Sequence, residues 1–186
     1  MKNAIIIHGL PDNKEYYDVT HPAPSNQHWL PWIQRQLIVR DILAQTPEMP
    51  VPHDPEYEPW KKVFEGFEIN EDTILIGHSA AAGFIVRYLS ENNIRVGKVA
   101  LVGPWNDPEK ELRSGMLTYT IDKDFASRTK GVTVFYSTDD GQEVIDSAKE
   151  LELPGVIMKV FTDKGHFIHD DMDSDEFPEL LEAVIS

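Results

Sequence analysis

The sequence contains no cysteine among its 186 residues, which removes disulfides, thiolate metal sites and thiol nucleophiles from consideration. It also lacks any apolar run near the roughly 18 residues that a membrane-spanning helix needs. The opening run Ala4-Ile5-Ile6-Ile7 breaks at His8-Gly9, too soon for the apolar stretch of a signal peptide, so a cytoplasmic location is expected. Basic residues are scarce: 17 Lys and Arg stand against 32 Asp and Glu, a formal net charge of −15. A surface this negative repels phosphate backbones and anionic lipid, so neither nucleic acid nor a membrane surface is an expected partner. No repeat or low-complexity tract is present. No glycine-rich phosphate loop follows the first apolar run, which counts against a nucleotide or phosphoryl-transfer protein. What remains, at 41% hydrophobic and 26% charged, is an ordinary globular composition with length for one domain, residues 1–186.

Short apolar runs alternate with longer amphipathic ones, the rhythm of βαβ units. Ala4–Ile7 is continuous and β-branched, as a strand buried on both faces should be. A polar loop follows from Pro11 to Gln27, and Trp29–Arg40 then has helical apolar spacing with Pro31 in its first turn. Ile42–Ala44 is a candidate second strand. The connection after it carries Pro47, Pro50, Pro52, Pro55 and Pro59, which argues against a central strand or a helix interior, and Trp60–Phe67 closes it as a short helix. Thr73–Ile76 is the clearest strand, and Ala80–Glu91 a helix of small and apolar residues. Strands at Val99–Val102, Val132–Tyr136 and Ile157–Phe161 follow, with helices at Val144–Leu151 and Phe177–Ile185. Gly103–Lys130 reads as irregular with short helices. About six strands with helical crossovers predict a mostly parallel sheet covered on both faces, a three-layer α/β/α fold.

Gly77-His78-Ser79-Ala80-Ala81 stands between the strongest strand and a helix. That context suits a nucleophile elbow, where strand turns abruptly into helix and projects a serine from the sheet's carboxyl edge. Residues two places away must be small; the second outer place holds Ala81 where glycine is usual. A plain helix cap at Ser79 is the competing reading. A serine hydroxyl needs a base to take its proton and a third group to orient that base. Two later strands run into suitable loops: Val132–Tyr136 into Ser137-Thr138-Asp139-Asp140-Gly141, and Ile157–Phe161 into Thr162-Asp163-Lys164-Gly165-His166. Each residue alone reads as a loop residue. Three elements in the order serine, acid, histidine, each after a parallel strand, converge on one sheet edge. Ser79, Asp140 and His166 are therefore the candidate catalytic residues, with Asp140 chosen for its inward reach and Asp139 as the alternative acid.

An acyl-transfer oxyanion needs two N–H donors. Ala80 supplies one at its helix start. Leu10 supplies the other from the loop after the first strand, where Gly9 lets the backbone approach closely. His8 is read as shaping that loop rather than as a base, and His78 as packing beside the sheet. His169 with Asp170, Asp171, Asp173 and Asp175 has metal-binding residue types, but the spacing lacks a calcium loop's glycine turn and terminal glutamate, so a solvated acidic loop is expected. Trp105 follows a strand at the active edge and could line a substrate pocket or pack in the core.

Read together, Ile76-Gly77-His78-Ser79-Ala80-Ala81-Ala82, Trp29-Leu30-Pro31-Trp32, the Ser137-Thr138-Asp139-Asp140 strand end and Phe161-Thr162-Asp163-Lys164-Gly165-His166-Phe167 resemble the small single-domain serine hydrolases related to retinoblastoma-binding protein 9. The similarity runs from residue 4 to the last helix. It implies an α/β-hydrolase fold without a large cap domain and a triad of Ser79, Asp140 and His166. The chain departs from that family's pattern at Ala81, and at Gly141-Gln142 where a proline and an aromatic are common.

The expected activity is hydrolysis of small carboxylic esters or amides through an acyl-enzyme, with no metal or organic cofactor required. Gly103–Lys130 is expected to be the only segment long enough to roof the site. The competing expectation is a non-catalytic protein-binding module on the same fold.

Overall fold

Strand β1 (Asn3–Ile7) is buried along its whole length in the computed structural model, which describes residues 2–186. Successive strand side chains point to opposite sides, so Ile5 and Ile7 enter one hydrophobic core while Ala4 and Ile6 enter a second. The same division repeats in β3 (Ile74–His78), with Leu75 in the first core and Ile74 and Ile76 in the second. Strands apolar on both faces need helices on both sides. Here α3 (Tyr57–Phe64), α4 (Ala80–Glu91) and α5 (Gln142–Glu150) cover the first face. On the second lie α2 (Leu30–Ile38), α6 (His169–Met172) and α7 (Pro178–Ile185). A short exposed helix, α1 (Asn13–Tyr17), lies in the β1–α2 connection.

The remaining strands are β2 (Leu43–Gln45), β4 (Val99–Val102), β5 (Val132–Ser137) and β6 (Val156–Phe161). All pairings are parallel and the order is β2-β1-β3-β4-β5-β6. Strand order reverses between β1 and β3, so the loops leaving those two neighbours depart to opposite faces and open a crevice at the carboxyl edge. Leu10 follows β1 there, and Ser79 follows β3. No helix among the described residues is long and apolar enough to cross a membrane.

The structure corrects two boundaries that bear on the site. β3 runs on to His78 rather than stopping at Ile76, so it meets Ser79 without an intervening loop. Helix α3 begins at Tyr57 and takes in Pro59. Pro59 sits at its third position, where the N–H would have no partner within the helix, so the proline costs no hydrogen bond. Trp60 Nε1–H donates to Pro50 O at 2.9 Å and ties the proline-rich connection to this helix. Gly103–Lys130 is irregular apart from a 3₁₀ turn at Phe125–Arg128.

Candidate active site

Ser79 is the single residue between β3 and α4, and it has φ 56° and ψ −125°. A positive φ is sterically costly for a residue with a Cβ and persists only where surrounding contacts impose it. Those contacts are visible: Ser79 N–H donates to Val102 O at 2.9 Å, and Ser79 O accepts from Ala82 N at 3.0 Å and Trp105 N at 3.2 Å. A Cβ on Gly77 would lie 2.8 Å from Ala82 N, so the first outer place of the elbow requires glycine. One on Gly83 would lie 2.6 Å from Trp105 O, so the same absence of a side chain lets the Trp105 loop rest on α4. Ala81 is fully buried in the first core, where its methyl group is accommodated.

The loops after β5 and β6 bring their residues to this turn. His166 Nε2 lies 2.9 Å from Ser79 Oγ, and His166 Nδ1 lies 2.8 Å from Asp140 Oδ2. A carboxylate only accepts, so Nδ1 carries the proton toward Asp140, and Nε2 is left with a lone pair for the Ser79 hydroxyl. The Asp140 side chain is 6% exposed, and its other oxygen accepts from Gly141 N–H at 2.6 Å. Asp139 faces elsewhere. It accepts from the Ser137 hydroxyl and from Gly165 N–H, while Lys164 N–H donates to Ser137 Oγ. Ser137 and Asp139 thus stitch the two loops together, and the Ser137 hydroxyl holds the Asp139 carboxyl below its ordinary value.

The backbone of His166 is held on both sides by residues the sequence did not single out for that purpose. Its N–H donates to Asp171 Oδ2 at 2.7 Å, and its C=O accepts from His78 Nε2–H at 2.8 Å. Next to it, Phe167 O accepts from the buried Trp29 Nε1–H at 3.0 Å. The stretch from His169 to Asp175 is therefore more than a solvated acidic loop: Asp171 fixes His166, and Asp175 pairs with His169 at 2.8 Å. No signal in one sequence separates Asp171 from its acidic neighbours. His78 occupies the elbow's variable place, and only the fold aims its ring at the His166 carbonyl.

Burial, reinforced by the neighbouring His166, pushes the His78 pKa well below the ordinary histidine value of 6.5. Burial also lowers His8 and His28. The unfolded chain binds these protons more readily than the folded one, so stability falls as pH drops. The contribution of these neutral rings is whole above pH 6.5 and is lost progressively below it. Thermal melts should show Tm declining from about pH 7.5 to about pH 5, and the decline should be shallower in His78→Asn. A flat profile across that interval would contradict neutral burial.

After β1, His8 Nε2 accepts from Met49 N–H at 2.9 Å, so Nδ1 carries the proton and donates to Gly9 O at 2.7 Å. In a trans peptide the N–H points opposite to the C=O, so anchoring Gly9 O turns Leu10 N–H the other way. Neither Leu10 N–H nor Ala80 N–H donates to another backbone or side-chain group among the described residues. Both ring nitrogens of His8 are engaged, which leaves it no role as a base. A Cβ on Gly9 would lie 3.1 Å from Ser79 Cβ, the close approach that glycine permits here.

Two cavities meet at Ser79. One of about 310 Å³ is walled by Leu10, Trp105, Asp140, Val144 and His166. The other, about 160 Å³, lies on the opposite side against His8, Gln27, His28, His78 and Ile168. Only Trp105 among these comes from Gly103–Lys130, so that segment is not the main roof. Residues 8–28 supply most of the second wall instead, because the polar β1–α2 connection folds back over the sheet edge. Among the described residues, no group of three or more His, Asp or Glu side chains is placed to hold a metal ion.

Comparison with known proteins agrees with this architecture. The serine hydrolase family model matches residues 21–182. YdeN of Bacillus subtilis (strain 168), a protein named as a hydrolase, is 25% identical over 179 residues, covering 91% of this chain and 88% of its own. The crystal structure of the ydeN gene product has a TM-score of 0.77 at 22% identity, over 98% of this chain and 96% of that one. The esterase domain of a Rhodothermus marinus protein shares the fold at a TM-score of 0.59 and 14% identity, covering 94% of this chain and 81% of that one. Carboxylesterase CesB from Bacillus subtilis does so at 0.57 and 12%, covering 98% and 83%. With the match spanning most of its length and the fold shared throughout, the chain belongs to the serine hydrolase family and has the α/β-hydrolase fold.

Proposed function

We propose that this protein hydrolyses small carboxylic esters, and amides by the same route, through a Ser79–His166–Asp140 triad. The observation that carries this reading is the unbroken hydrogen-bonded chain from Asp140 through His166 to a serine held at a strained elbow. His166 Nε2 removes the Ser79 proton as Oγ attacks the carbonyl carbon. The oxyanion forms where Leu10 and Ala80 N–H groups are free to donate. His166 then gives its proton to the leaving oxygen or nitrogen, and the acyl-enzyme is released by a water that His166 deprotonates. Asp140 holds the imidazole in the tautomer required at each step. All the groups needed are side chains and amides of this chain, so the proposed reaction uses no cofactor.

Ester chemistry is favoured by the names of two fold neighbours, an esterase domain and a carboxylesterase. Small substrates are favoured by the cavities of about 310 and 160 Å³ on either side of Ser79, with Trp105 lining the larger. A fluorophosphonate probe tests the nucleophile directly. The native protein should take up one adduct, mapped by peptide mass to Ser79, and heat-denatured protein should take up none. An unlabelled native protein would overturn the proposal, as would an adduct on another serine.

A further inference from the structure

We infer that His28 is a specificity-determining residue whose Nε2–H binds an uncharged oxygen acceptor on the part of the substrate that extends from Ser79 toward α2. This rests on the hydrolase reading above. His28, together with Glu15, Gln27 and Ile168, lines both the narrow pocket at Ser79 and a larger groove of about 520 Å³ beyond it, and so stands where one meets the other. A substrate reaching out of the site on this side passes between these four residues, of which His28 carries a ring N–H. Its ring centroid is 6.0 Å from that of His78, which in turn is 5.1 Å from that of His166.

The protonation state of the ring follows from its contacts. His169 N–H donates to His28 Nδ1 at 3.1 Å, so in the neutral ring the proton sits on Nε2. Burial keeps the ring neutral by lowering its pKa. No hydrogen-bond acceptor among the described residues takes the Nε2–H. The backbone at His28 has φ 54°, an unusual conformation for a residue with a Cβ, and the ring is presented from it. The groove beyond is walled by Pro31, Trp32 and Ile168 and edged by Glu15, Asp170 and Asp175. Apolar walls with one placed donor are how small-molecule sites set orientation. The carboxylates disfavour an anionic acceptor, which leaves a carbonyl, ether or hydroxyl oxygen.

Two isosteric pairs of esters test this with the intact protein: p-nitrophenyl 3-methoxypropanoate against p-nitrophenyl valerate, and methoxyethyl acetate against butyl acetate. The parent should prefer the oxygen-bearing member in one pair, which also reveals whether the acyl or the alcohol half lies on this side. His28→Asn tolerates positive φ and can still accept from His169 N–H, but its amide is too short to reach the Nε2 position. It should lower the kcat/KM ratio within that pair by about five- to tenfold, mainly through KM. His28→Gln, whose amide nitrogen reaches the Nε2 position, should restore most of the ratio. His28→Phe, with a ring but no N–H, should lose the ratio as the Asn variant does, and this second route holds even where one variant folds poorly.

Equal loss on both members of each pair would show a merely structural residue and overturn the inference. So would a parent with no preference in either pair. A parent that cleaves none of the four esters and leaves Ser79 unlabelled would instead bring down the hydrolase reading, and this inference with it.

Discussion

Ser79→Ala is expected to lower kcat/KM for a short p-nitrophenyl ester by a factor of about 10⁴ to 10⁶. Among the described residues the hydroxyl is the only oxygen within hydrogen-bonding distance of His166 Nε2, at 2.9 Å, and nothing in the elbow replaces it as the attacking atom. Residual rate should remain above the background reaction in water, because the Leu10 and Ala80 N–H groups and both cavities persist without the hydroxyl. Folding should be little affected. The Ser79 side chain does not cap α4, and the turn is held by backbone bonds to Val102, Trp105 and Ala82 that alanine also makes. The check pairs steady-state kinetics with a thermal melt: loss of activity with Tm essentially unchanged. Activity within tenfold of the parent would place the nucleophile elsewhere.

The second large effect separates two adjacent aspartates. Asp140→Asn should cost about 10⁴-fold in kcat. An amide facing His166 Nδ1 can offer N–H where the carboxylate only accepted, which favours the tautomer with its proton on Nε2 and takes away the lone pair that Ser79 needs. The imidazolium formed during attack also loses its buried counter-charge. Asp139→Asn should be far milder, below about tenfold in kcat. Its oxygen can still accept from the Ser137 hydroxyl and Gly165 N–H, and it makes no contact with the imidazole. Parallel kinetics on the two variants decide the assignment. Equal losses would mean that the charge of the loop, and not the contact at 2.8 Å, is what His166 requires.

Much of the architecture follows from patterns that local chemistry imposes. A strand flanked by helices on both faces must be apolar throughout, and Ala4–Ile7 shows it directly. An abrupt strand-to-helix turn admits only small neighbours, which is why Gly77 and Ala81 mark Ser79 before any coordinates are considered. Parallel strands deliver their following loops to one edge, so the order Ser79, Asp140, His166 already brings three loops into one neighbourhood. Proline was the least reliable guide. Pro59 reads as a helix breaker, yet in the first turn of α3 it breaks nothing.

Details within the loops were not legible in the same way. Asp139 and Asp140 are chemically identical and adjacent, and only the turn after β5 decides which one faces His166. Asp171 and His78 hold the His166 backbone from residues 5 and 88 positions away, in directions that no local pattern encodes. The β1–α2 connection reads as a polar loop, but it walls one side of Ser79 and carries His28 into place.

Ser79 at its turn, the parallel sheet and the chain order of Ser79, Asp140 and His166 were determined by the sequence itself, because each arises from periodicity or local sterics acting within a few residues. Which aspartate meets His166, what fixes that histidine's backbone and what borders the cavities at Ser79 were decided only by the tertiary structure. Those features depend on the directions of hydrogen bonds between segments far apart in the chain, and such directions exist only once the sheet has brought the segments together.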